Sequence, residues 1–276
     1  MLPAYAHPPR VLVFDSGVGG LSIADAIKQQ YPNIDITYCS DNAAFPYGTK
    51  SESTLISRTE TVLRHIQNQV HANIIVIACN TASTVALPRL RASFKEPVIG
   101  VVPAIKPAAA LSKSKVIGLL ATPGTVSRAY TKDLVNEFAN DCRVVSVGSA
   151  QLVAFAEDKL KGNAINLTAV KHSVQKFSLD TTIDTIVLAC THFPLLLEEL
   201  KLVLPTIKHW VDSGDAIARR VGYWLTELNL SDTIECKNTY HSFFTENNHT
   251  IEQLRPALNR HGFGEIHFAT LPFCED

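Results

Sequence analysis

The sequence predicts an α/β protein of two similar, doubly wound, flavodoxin-like domains with mainly parallel sheets. Three observations carry this. Short apolar, β-branched runs alternate with longer amphipathic stretches, as in parallel strands joined by crossover helices. The alternation continues along most of the 276 residues, 46% of them hydrophobic, which is length enough for two cores. One strand–loop pattern also occurs twice. VLVFDSGVGG (Val11–Gly20) is followed by IIVIACNTAS (Ile74–Ser83), and VIGLLATPGT (Val116–Thr125) by TIVLACTHFP (Thr185–Pro194).

Taken in order, strands are expected at Val11–Phe14, Ile34–Cys39, Asn73–Ala78, Val98–Val101, Lys115–Ala121, Arg143–Val147, Asp184–Ala189 and Ile207–Val211, each a short β-branched run. Helices are expected at Leu21–Tyr31, Glu52–Val70, Val126–Asn140 and Ile165–Leu179, where apolar residues recur at helical spacing. A further helix is expected at about Asp215–Leu228. The pattern then becomes less regular, with a strand at Thr239–Thr245. The repeat divides the chain into residues 1–102 plus about 213–276, and residues 103–212. Two copies related by a pseudo-twofold axis would set corresponding loops on opposite sides of one cleft. Open α/β sheets bind ligands at the C-terminal ends of their strands, which puts the expected site there.

Composition excludes several classes. The formal net charge is −1, and no block of like charge appears. Neither a nucleic-acid surface nor an anionic membrane surface is expected. No apolar run approaches the roughly 18 residues of a spanning helix. The N-terminus MLPAYAHPPR lacks the layout of a signal peptide, so a cytoplasmic protein is expected. The six cysteines are scattered, with no CxxC. They read mostly as packed thiols, and no metal site is expected.

The loops carry the chemistry. Cys79 and Cys190 each close an apolar strand before an expected helix start, with Asn80, Thr81 and Ser83, or Thr191 and His192, in the cap region. The positive end of a helix lowers a thiol's pKa. A single such cysteine reads best as a small residue closing a strand. Two in matching loops read as a pair of acid/base groups acting on opposite faces of one carbon. In DSGVGG, glycines 17, 19 and 20 let main-chain amides approach a carboxylate, and Ser16 adds a donor. Asp15 would hold a substrate ammonium, act as a base toward it, or poise Cys79. The loop matches neither a P-loop nor GxGxxG. His192 would tune Cys190 or share its proton, against a plain cap role. Residues 41–48, with Pro46, Tyr47 and Gly48, read as a turn or as a wall over a ligand. Glu157 lies on an apolar-faced helix, where a solvated charge is the default.

These motifs give the chain a family likeness. FDSGVGG, PYG, ACNTAS, ATPGTV, LVAFAE and LACTHFP follow one another across about two-thirds of the chain. On them the sequence resembles the glutamate racemases, cofactor-independent members of the aspartate/glutamate racemase superfamily that make D-glutamate for peptidoglycan. The resemblance implies Cys79 and Cys190 as the two acid/base residues, with Asp15 and His192 as helpers and Glu157 beside His192. It implies that glutamate is held by Asp15, Ser16, Pro46, Tyr47, Gly48, Asn80, Thr81, Thr122, Thr125, Thr191 and His192. No cofactor is implied; a homodimer or a monomer–dimer equilibrium is, and a peptidoglycan-precursor activator is known in the family. Other readings are another reaction of the superfamily, such as aspartate racemisation, and a non-catalytic amino-acid-binding regulator.

Overall fold

Strand β1 (Arg10–Asp15) is buried at five of its six residues, as a strand covered on both faces must be. A computed structural model describes residues 7–230 and 239–271. From β1 the chain runs through α1 (Leu21–Gln30), β2 (Asp35–Ser40), α2 (Glu52–Val70), β3 (Ile74–Ile77), α3 (Asn80–Ser93) and β4 (Val98–Gly100). Next come α4 (Ile105–Leu111), β5 (Val116–Ala121), α5 (Pro123–Ser127), α6 (Ala129–Phe138), β6 (Arg143–Gly148) and α7 (Gln151–Leu160). They are followed by α8 (Leu167–Ser173), α9 (Gln175–Ser178), β7 (Thr185–Ala189), α10 (Leu197–Val203) and β8 (His209–Val211). The chain closes with α11 (Gly214–Glu227), β9 (Tyr240–Phe244), α12 (His249–Arg260) and β10 (Glu265–Phe268).

Two units result. One takes the described residues up to Val101 together with those from Gly214 onward; the other is Val102–Ser213. The first holds a six-stranded sheet in the order β10-β9-β2-β1-β3-β4, and the second a four-stranded sheet in the order β6-β5-β7-β8. Every pairing in both is parallel. The run β2-β1-β3-β4 and the run β6-β5-β7-β8 are one topology used twice, the structural form of the repeat seen in the sequence. In each, the order reverses between the first and third strands (β1 and β3, β5 and β7), which is the switch point where open sheets bind ligands.

Local chemistry explains the elements that bear on the site. Helix α2 starts where Ser51 Oγ accepts a bond from Thr54 N, and it ends at His71, whose φ of 49° stops the helix. Its buried stripe of Leu55, Val62, Leu63 and Ile66 packs with Leu12, Phe14, Ile75 and Ile77 of the sheet and with Ala82, Ala86 and Leu90 of α3. In the second unit Ile117, Leu119, Val187 and Ala189 form the corresponding core with Ala104, Ile105 and Ala108.

Three expectations need correction. The helix expected at Val126–Asn140 is two helices. Thr122 caps α5 with Pro123 in its first turn, so ATPGT starts a helix instead of closing a plain turn, and Arg128 then turns extended (φ −70°, ψ 144°). The helix expected at Ile165–Leu179 breaks at Val174, whose side chain is fully buried. The tail is more regular than its pattern indicates. Helix α12 buries Ile251, Leu254, Ala257 and Leu258 at helical spacing, but Pro256 inside it is a breaker signal in the sequence. Gly262 (φ 82°) then ends α12 and leads into β10. Of the cysteines, Cys39, Cys79 and Cys190 are buried, while Cys142 is only half-buried beside Asp141. Cys236 and Cys274 lie outside the described residues.

Candidate active site

In the first unit the site residues gather at the C-terminal ends of β1, β2 and β3. Asp15 ends β1, wholly buried, and its carboxylate closes its own loop: Oδ1 accepts from Ser16 N at 2.8 Å and Oδ2 from Gly20 N at 2.7 Å. These two amides are therefore engaged by Asp15, so of the loop's three glycines the amide of Gly20 is already bonded within the loop. Tyr38 Oη donates to Gly17 O at 2.7 Å and fixes the tip of the loop. Gly20 is required by closeness. A Cβ there would stand 2.9 Å from the Cβ of Asp15 and 3.0 Å from that of Ala78.

Cys79 follows β3 and caps α3 from its N-terminal end, with Ser16 Oγ at 3.7 Å from its sulfur. Cys79 is thus next to the positive end of a 14-residue helix, as expected. Asn80 and Thr81 are buried in the first turn of that helix and do not cap it, and Ser83 Oγ donates back to Ile77 O. Asn80 Nδ2 is buried without a hydrogen-bond partner. A buried amide donor of this kind calls for an explanation, and a bound ligand would supply one.

Beyond β2, the 41–48 segment is anchored by Asp41. This buried carboxylate accepts from Tyr47 Oη (2.6 Å), from Arg58 Nε and Nη2 (2.7 and 2.8 Å) and from Thr245 Oγ1 (2.7 Å). Burial, and then the adjacent Asp41, push the Tyr47 phenol well above its usual pKa, so it stays a neutral donor. Pro46 and Gly48 flank Tyr47 in the short turn that Asp41 holds. Arg58 on α2 directs Nε and Nη2 of its guanidinium to Asp41. Sequence reasoning missed Asp41, Arg58 and Thr245 as a group, because they are brought together only by folding.

In the second unit Cys190 follows β7, the strand equivalent to β3. No α-helix begins there. A short 3-10 turn (Phe193–Leu196) intervenes before α10, and His192 makes no side-chain cap bond. The helix-terminus argument therefore does not extend to Cys190. A side-chain row takes its place. Cys190 Sγ lies 3.8 Å from His192 Nδ1, and His192 Nε2 lies 2.7 Å from Glu157 Oε1 on α7. All three are buried. Burial opposes a charged imidazole, but the bonds to Cys190 and Glu157 outweigh it and hold the His192 pKa well above its ordinary value. Glu157 is thus an internal partner of His192, not a solvated charge. Thr122, just past β5, caps α5 by accepting from Thr125 N at 3.2 Å and donates to Thr125 Oγ1 at 2.9 Å, and Thr191 is buried beside Cys190.

The chain is similar to known proteins over nearly its whole length. The Asp/Glu/hydantoin racemase family model matches residues 20–221. A glutamate racemase of Klebsiella pneumoniae is 48% identical over 92% of this chain and 90% of its own length, and one of Pasteurella multocida 46% identical over 94% and 96%. The crystal structure of Escherichia coli glutamate racemase in complex with L-glutamate and the activator UDP-MurNAc-Ala superposes with a TM-score of 0.91 at 45% identity, covering 96% of this chain and all of that one. Two parallel sheets of one topology, each closing a strand in a buried cysteine, together with this similarity over nearly the whole length, establish that the chain belongs to the glutamate racemases.

Proposed function

We propose that this chain interconverts L- and D-glutamate by moving the Cα proton between Cys79 and Cys190, without a cofactor. The observation that supports this most is positional equivalence. The two cysteines follow the third strand of the same four-strand order in two units, beside the strand that ends in Asp15 or leads to Thr122. In one direction a thiolate takes the proton from Cα and the other thiol delivers its own to the opposite face; in the reverse direction the roles exchange. The mechanism requires both sulfurs to reach one substrate carbon.

An amino acid is a weak carbon acid, so the developing negative charge must be met by fixed donors. Asn80, Thr81, Thr191 and Ser16 are neutral, buried groups suited to this. Tyr47, Gly48, Thr122 and Thr125 line the adjoining loops. Arg58 does not serve as a carboxylate clamp in this reading, because Asp41 holds it. Cys190 would exchange its proton with His192, which Glu157 supports. Asp15 would orient the loop that carries Ser16 toward Cys79. The E. coli relative was crystallised with L-glutamate and UDP-MurNAc-Ala. We extend to this chain glutamate as substrate, a peptidoglycan precursor as activator, supply of D-glutamate to the cell wall from the cytoplasm, and a homodimer or monomer–dimer equilibrium.

The test is proton exchange in deuterated water, with L-Glu and L-Asp run separately. Incorporation of deuterium at Cα of glutamate alone supports the reading, and exchange of aspartate alone overturns it. Cys79→Ser and Cys190→Ser should each abolish racemisation. Each should still eliminate HCl from one enantiomer of a β-chloro amino acid, because a single base removes the Cα proton as chloride leaves Cβ.

A further inference from the structure

We propose that His241, Glu265 and His267 form a binding site for a divalent cation of the zinc, cobalt or nickel class. The residues lie on β9 and β10, at the outer edge of the six-stranded sheet. Parallel pairing sets Glu265 opposite His241 and His267 opposite Phe243. The two-residue period of a strand puts all four on one face. Glu265 bridges the imidazoles: Oε2 is 3.2 Å from His241 Nδ1, and Oε1 is 3.3 Å from His267 Nε2. One ligand atom from each residue lies within 4.8 Å of the others. A tetrahedral cation with bonds of ~2.0–2.2 Å spaces its donors at ~3.3–3.6 Å. The two nitrogen–oxygen separations, one to each carboxylate oxygen, are close to that spacing.

Two further observations point to a ligand. His241 Nδ1 is buried and makes no hydrogen bond of acceptable geometry, although it faces the carboxylate. A cation shared with Glu265 would satisfy it. The His267 ring is held by stacking on Phe243, with centroids 4.9 Å apart and planes 25° apart, so its orientation is set before any ion arrives. Glu265 and His267 are exposed enough to leave coordination positions to water. His241 and His267 border a cavity of about 760 Å³ that Arg10, Asp35 and Thr37 also line. Two imidazoles and one carboxylate with an open fourth position suit these metals.

The site is separate from Cys79. His241 pairs with Thr37, Thr37 with Leu12, and Leu12 with Ile75, a row that crosses β3 well before Cys79. A bound ion would clip the edge strand β10 to β9 and stabilise the folded state by mass action.

The test is titration of the full chain with Co²⁺, following visible absorption and equilibrium dialysis. One saturable Co²⁺ per chain, with d–d bands and no thiolate-to-cobalt charge-transfer band, is expected. His267→Phe keeps the stacking on Phe243 but removes a ligand, and Glu265→Gln removes the bridging charge. Each should weaken Co²⁺ at least tenfold while racemisation without added metal stays within about twofold. Absence of saturable binding would mean that the cluster holds only His–Glu ion pairs. That result, a thiolate band, or binding unchanged in both variants overturns the proposal.

Discussion

Substituting Glu157 by Gln tests the row Cys190–His192–Glu157 without changing its shape. The bond from His192 Nε2 to Glu157 Oε1 is 2.7 Å, and both side chains are buried. A hydrogen bond to a charged group contributes about 1.5–3 kcal/mol. At 1.36 kcal/mol per factor of ten, its loss slows a step that relies on it by roughly 10- to 160-fold. Enantiomers have equal free energy, so the equilibrium constant is one and kcat/KM must fall by the same factor in both directions. The directional signature therefore has to be read from half-reactions. In a Cys79→Ser background only Cys190 remains as base, and Glu157→Gln should slow HCl elimination from its β-chloro enantiomer by roughly 10- to 160-fold. In a Cys190→Ser background, where Cys79 is the base, the same change should cost less than about threefold, under 1 kcal/mol. Equal losses in the two backgrounds would refute the claim that Glu157 acts through His192 on Cys190. Stability should also respond. The folded pKa of His192 lies above its ordinary 6.5, so its contribution is fully present at pH below 6.5 and is lost as pH rises through the raised value. Denaturant midpoints of the wild type should fall over that window. In Glu157→Gln the fall should be smaller and should end at lower pH.

Three further outcomes follow from the geometry. Gly20→Ala should destabilise the chain by about 1–3 kcal/mol in urea unfolding, because its Cβ would meet the Cβ atoms of Asp15 and Ala78 at 2.9 and 3.0 Å; a change under about 0.5 kcal/mol would contradict the close-approach argument. Asp41→Ala should cost about 3–5 kcal/mol, since it leaves the partly buried Arg58, and with it Tyr47 and Thr245, without their shared acceptor. Restoration of stability by the further change Arg58→Met would confirm that the guanidinium that loses Asp41 is the cause. Asn80→Ala should leave stability within about 0.5 kcal/mol, because its amide donor has no protein partner to lose, yet lower kcat/KM about tenfold if that donor meets substrate. Unchanged kinetics would remove Asn80 from the site.

Much of the site is legible in the sequence because its parts are local. Strand-then-Cys-then-helix at residues 74–83 can be read in ten residues, and β3, Cys79 and α3 follow from it. The parts that misled reading are those where one local signal overrode another. Thr122 and Pro123 start a helix inside what resembles a glycine turn, and Pro256 disguises α12. Cys190 and Cys79 look alike in sequence, but one is followed by a long helix and the other by a 3-10 turn. The thiols therefore receive different support, a helix end for Cys79 and an imidazole for Cys190.

The amino-acid order by itself determined the alternation of strand and helix, the duplication, and the loops that carry cysteine, hydroxyl and carboxylate, since each depends on neighbours a few positions away. Only the tertiary structure decided the strand order within each sheet, the inward turn of Asp15 onto its own loop, and the meeting of Asp41 with Arg58 and Thr245. It alone brought His241 to Glu265 and His267. Apart from the Asp15 loop, whose partners Ser16 and Gly20 are close in sequence, these depend on pairings between residues far apart in the chain, and their energies exist only once the sheets have formed.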